Sequence, residues 1–136
     1  MKLYKTLSLS ASQLEEIYSS LGGKYSLWER LKRKRIGSPR MFYSKGNEEI
    51  DALQALASNE ILINIELLKE GVLFRIAERT NTYFIPFRKK EIKSIELIRE
   101  DQQILVEFKT IEATLSLWGN LDYYSGWKVF IKELNI

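Results

Sequence analysis

A chain of 136 residues and 16.0 kDa has length for one domain, and its 45% hydrophobic and 12% aromatic content supplies a core that needs no staples. The absence of cysteine and histidine excludes disulfides, thiolate nucleophiles, histidine general bases, Ser-His triads and nearly every zinc, copper or haem site. The net charge of +3 is uneven: eight basic residues against one acid between Lys24 and Lys45 give +7, and the other 13 basic and 17 acidic residues give −4.

In chain order, Lys5 falls inside what would have to be the apolar core of a signal peptide, so export by that route is not expected. Leu14, Ile17, Tyr18 and Leu21 follow the i, i+3, i+4, i+7 pattern of an amphipathic helix, with Ser12 and Glu15 as its capping pair and Gly22-Gly23 as its end. Leu27, Trp28 and Leu31 fit one face of a second helix, with the arginines and lysines on the other, and a strand is the alternative there. Gly37-Ser38-Pro39 breaks the chain between this basic helical third and a strand-rich remainder. Glu48 to Ala57 reads as a third helix with Ile50, Leu53 and Ala57 on one stripe. Its acids Glu48, Glu49 and Asp51 suit the positive end of the helix dipole better than a hard-metal site, because adjacent acids point in different directions.

From Glu60 the period becomes two. Ile61, Ile63, Ile65 and Leu67 alternate, then Val72, Phe74 and Ile76, then Tyr83, Ile85 and Phe87, then Ile95 and Leu97. Ile104, Val106 and Phe108 follow, and Ile111, Ala113, Leu115 and Leu117 complete six antiparallel strands. Trp127, Phe130, Ile131 and Leu134, after Ser125-Gly126, form the apolar stripe of a terminal helix that can close one end of a curved sheet. No apolar run approaches the ~18 to 20 residues of a membrane-crossing helix. The expected location is cytoplasmic.

Gly71-Val72-Leu73-Phe74, Tyr83-Phe84-Ile85-Pro86-Phe87 and Ile92-Lys93-Ser94-Ile95, followed by a C-terminal helix with a tryptophan, resemble the bacterial pleckstrin-homology-like (PH-like) family over residues 60–136. The resemblance implies a seventh strand, which would come from Met41-Phe42-Tyr43, and a binding or scaffolding module without chemistry. Phosphoinositide-binding members carry a K-x-n-K/R-x-R pattern whose spacing Lys69, Arg75 and Arg79 do not reproduce. The expected fold is α+β: a curved antiparallel sheet or partly open barrel of six to seven strands, capped by the C-terminal helix. Residues 1–58 form a basic helical segment packed on the domain of residues 59–136.

Arg30, Lys32, Arg33, Lys34, Arg35 and Arg40 are the candidate anion-binding residues, able to neutralise phosphates of lipid or nucleic acid. A solvated helix face, or a patch lying on the chain's own acidic remainder, explains the same run. Of the aromatic cluster Trp118, Tyr123, Tyr124, Trp127 and Phe130, the pair Tyr123 and Tyr124 lies outside the helical stripe and is the candidate partner-binding pair. Gly22-Gly23-Lys24 approaches a phosphate loop but fails it, because Tyr18 stands where its first glycine belongs and Tyr25 where its Ser or Thr belongs. No catalytic, metal or cofactor residue is assigned and no enzyme activity is expected. The function expected is non-catalytic binding of a protein partner, with an anionic membrane surface or nucleic acid as the alternative and an unrecognised enzyme as a further one.

Overall fold

The computed structural model describes residues 2–33, 35–56 and 60–134. Eight antiparallel strands form one sheet in the order β1-β5-β4-β3-β2-β8-β7-β6. Along the chain these are β1 (Tyr4–Lys5), β2 (Met41–Lys45), β3 (Leu62–Leu68), β4 (Gly71–Glu78), β5 (Asn81–Arg88), β6 (Ile92–Glu100), β7 (Gln103–Thr110) and β8 (Thr114–Asn120). The helices are α1 (Ala11–Ser20), α2 (Leu27–Lys32), α3 (Glu48–Leu56) and α4 (Tyr124–Leu134).

The period of two puts Ile61, Ile63, Ile65 and Leu67 on the inner face with Val72, Phe74, Ile76, Ile85 and Phe87, all nearly solvent-free. Phe74, Phe87 and Phe108 meet edge to face or tilted at 4.7 to 5.8 Å between centroids. α4 lays Trp127, Phe130 and Leu134 onto this core, with Ile131 half-buried beside them. The helix begins at Tyr124, so Ser125-Gly126 lies within it and not ahead of it.

Two strands were not visible as alternation. β2 is a short stretch between β3 and β8, and β1 is two residues paired with β5. The segment before residue 58 therefore supplies two strands of the sheet as well as helices. The last strand starts at Thr114, three residues later than its period implies. Thr110 closes a turn by accepting the Ala113 N–H on its side chain and donating its own N–H to the Ala113 carbonyl, which delays the strand and leaves Ile111 exposed, while Leu115 and Leu117 are buried as their period implies.

A second core lies on the outer face of the sheet. Ile17 of α1 and Leu21, its C-cap, cover Leu68, Leu73 and Phe84, with Tyr4, Leu9, Leu14 and Tyr18 around them. α1 is capped by Ser10, whose Oγ accepts from Gln13 N at 3.1 Å while Gln13 Oε1 accepts from Ser10 N at 2.8 Å, so the box sits two residues before the expected Ser12–Glu15 pair. Gly22 and Gly23 end the helix at φ +83° and +80°, the left-handed conformation that favours glycine, and Gly23 N donates to the Tyr18 carbonyl at 2.8 Å. These glycines serve as the helix stop. The third helix is capped by Asn47, whose Oδ1 accepts from Ile50 N at 2.9 Å, with Glu48, Glu49 and Asp51 in its first turn. Ala57, placed on that helix's stripe, lies outside the described residues, as does Lys34 of the basic run.

Candidate functional site

Ser26 starts α2 with a full capping box: its Oγ accepts from Glu29 N at 3.2 Å, and Glu29 Oε1 accepts from Ser26 N at 3.1 Å. Those hydrogen bonds, backbone first, hold the exposed Glu29 carboxyl below its ordinary pKa, and Lys69 beside it acts in the same direction. At helical spacing, Leu27, Leu31 and Trp28 occupy an arc of about 100°, with Arg30 on one shoulder and Lys32 on the other. Glu29 and Arg33 lie opposite.

The helix is turned the reverse way from an ordinary surface helix. Its polar side faces the protein: Glu29 pairs with Lys69 at 3.5 Å, and Arg33 pairs with Glu133 of α4 at 3.1 Å while lying 4.1 Å from the centre of the Tyr25 ring. Its apolar side faces outward, with Leu27, Trp28 and Leu31 at 70%, 74% and 69% exposure. Three large side chains in one patch are far more than the scattered exposed residues of an ordinary surface.

The basic run divides accordingly. Lys32 and Arg40 are exposed, as is Arg30, whose Nε donates to the Tyr25 carbonyl at 3.2 Å. Arg33 is committed to Glu133 and Tyr25, and Arg35 Nε donates to the Gly37 carbonyl at 2.7 Å. Other cations gather near the start of α2. Lys69 borders a cleft of about 530 Å³ together with Ser20, Glu70, Arg88, Lys89 and Lys90. Lys24 adjoins it in the chain's path, because Lys69 N donates to the Gly23 carbonyl at 3.2 Å, and its ammonium lies 4.6 Å from the Tyr18 ring centre. Arg88, Lys89 and Lys90 are not among the expected anion-binding residues, although a basic run directly after a strand is a signal for them. Arg75 binds Glu66 and donates to Tyr18 Oη at 2.8 Å, which fixes α1 to the sheet.

The chain matches no protein-family model, no curated protein and no solved structure. Its own geometry is therefore the ground for a functional reading.

Tyr123 and Tyr124 are separated by the structure. Tyr123 is exposed, whereas Tyr124 is half-buried, with Arg99 and Lys128 at 4.8 and 5.5 Å from its ring centre. Trp127 and Phe130 belong to the core, and Trp118 lies on the outer face stacked on Phe42 at 4.6 Å. Among the described residues, no group of three or more Asp or Glu side chains is placed to hold a metal ion, and no helix is long and apolar enough to cross a membrane. The strongly raised pKa of Tyr43 arises first from burial and then from its hydrogen bond to Asp51 at 2.6 Å, an arrangement that fixes α3 to β2.

Proposed function

We propose that the protein is a non-catalytic binding module of PH-like architecture and that it meets an anionic membrane surface through α2. The observation that carries this reading is the reversed helix. Apolar side chains pointing to solvent, flanked on both shoulders by cations, match a lipid interface, where acyl chain and phosphate lie within one side-chain length of each other. Trp28 suits the same depth, with an apolar ring and one N–H donor. Arg30 and Lys32, on the helix's two shoulders, each add about 1 kcal/mol of attraction when held near anionic headgroups.

The order of strands supports the PH-like architecture: β2 to β5 as one meander, β6 to β8 as another, then one terminal helix over the inner face. A membrane is favoured over nucleic acid because stacking on single strands needs successive exposed rings. Tyr25 and Tyr43 are buried, which leaves Trp28 beside the cations.

Co-sedimentation with phosphatidylcholine vesicles, with and without phosphatidylserine, tests the reading. Binding is expected only with phosphatidylserine, to weaken between about 50 and 200 mM salt, and to be lost in the Trp28→Glu, Leu31→Glu variant. No binding to the anionic vesicles, or equal binding by the variant, overturns it. Duplex DNA binding that Arg30→Ala, Lys32→Ala abolishes, in a protein that ignores vesicles, replaces it with the nucleic-acid reading.

A further inference from the structure

The outer face of the sheet carries a second uncovered surface. Direct register aligns Leu62, Phe42, Trp118, Leu105 and Ile98 across β3, β2, β8, β7 and β6. Directly opposed residues share a face, so these five form one apolar row. All five are half-buried and none packs into either core. α1 buries the outer face farther along, at Leu68, Leu73 and Phe84.

Beside the Phe42–Trp118 stack in the middle of the row lies a cleft of about 460 Å³, lined by both rings. Its wall is the β6–β7 turn with Glu100 and Asp101, and Gln103 and Asn120 supply polar groups. The turn is tied down by Leu121 N donating to the Gln102 carbonyl at 3.2 Å. Two acids and no base line the cleft. Along the same face Glu96 stands directly opposite Glu107, a like-charge pairing that costs stability and that Lys109 moderates by bridging Glu96 at 3.1 Å. In a chain of pI 9.0, this cleft is a locally acidic site.

We infer that this cleft docks a basic segment of a protein partner, with one aromatic or large apolar side chain on the Phe42–Trp118 stack and a lysine or arginine at Glu100 and Asp101. Charge complementarity decides the occupant. The acidic rim repels anionic lipid and nucleic acid, and the apolar floor needs a side chain that a free polyamine lacks. The inference is independent of the α2 reading, since the two surfaces share no residue and attract opposite charges.

The test is fluorescence polarisation with a labelled pentapeptide of one tryptophan between two pairs of lysines. Saturable binding is expected, weakened about ten-fold or more in the Glu100→Lys, Asp101→Lys variant and by alanine in place of the peptide's tryptophan. A peptide with glutamates for lysines should not bind. Both substitutions are on exposed residues, and an unchanged melting temperature verifies the fold. Absence of saturable binding, or equal affinity in the variant, overturns the proposal. Sedimentation velocity provides the other decisive outcome: wild-type self-association that the same variant disperses would make the occupant a second copy and overturn it as well.

Discussion

Arg33 Nη1 lies 3.1 Å from Glu133 Oε2, joining the middle of the most basic stretch of the chain to the C-terminal helix. With side chains 29% and 21% exposed, and with the Tyr25 ring under the guanidinium, the pair is more than a surface ornament. Arg33→Ala is expected to lower unfolding free energy by about 1 to 2 kcal/mol, and a cycle with Glu133→Ala to show a coupling of about 0.5 to 1 kcal/mol. Urea titration measures both. Its effect on the salt dependence of vesicle binding should be small, because this cation faces inward, whereas Arg30→Ala, Lys32→Ala should flatten that dependence.

Two tryptophans give opposite outcomes. Trp127 is wholly buried and meets Phe130 edge to face at 5.7 Å, so Trp127→Ala should cost about 3 to 5 kcal/mol. Trp28 is 74% exposed, and Trp28→Ala should leave stability within about 0.5 kcal/mol. Thermal melts separate the two. If α2 enters a lipid interface, Trp28 emission should shift to the blue on anionic vesicles and lose its accessibility to iodide.

Alkaline pH should expose the raised phenols. Tyr43 accepts from Asn47 N at 2.7 Å and donates to Asp51, and Tyr18 has its pKa raised first by burial and then by Glu66. A phenol whose folded pKa is raised stabilises the fold fully below its unfolded value of 10.0, and that stabilisation is lost as pH rises beyond it. Stability should therefore fall from about pH 10 upward, with a shallower fall in Tyr43→Phe. At neutral pH that variant should lose about 1 to 3 kcal/mol, since the buried Asn47 N–H loses its acceptor.

Acid should loosen α2. The Glu29 pKa is lowered, so the tie it provides is present above the ordinary carboxylate value of 4.5 and lost as pH falls through its folded pKa. Helix content should drop there before the global transition, and Glu29→Gln should remove the pH dependence of that early step. Ser26→Ala should weaken the same helix at every pH, by about 1 kcal/mol. Circular dichroism across a pH series reads both.

What could be read directly was whatever local spacing decides. Ile61, Ile63 and Ile65 needed only the period of two, and Trp127, Phe130 and Leu134 only the period of 3.6. The capping box of α1 was misplaced because Ser10–Gln13 and Ser12–Glu15 satisfy the same pattern, and only the helix start tells them apart. In α2 the helical spacing was legible, but its orientation is set by Glu133, one hundred positions away, and by Lys69. The Phe42–Trp118 stack depends on a register between strands at opposite ends of the sequence. Its one local sign was Met41-Phe42-Tyr43, apolar at three successive strand positions and so on both faces of the sheet.

Because β2 sits between β3 and β8, it is the seam that makes two meanders into one sheet. β3 to β5 and β6 to β8 are each joined by short turns, so each pairs locally and fast, whereas Phe42 must wait for Trp118. Closing so long a loop carries a large entropic cost before any contact repays it, which places this pairing late in folding. On the ribosome the seam would close only after β8 has emerged. Until then the inner faces of both meanders stay uncovered, and the chain is at its most vulnerable to association with other chains.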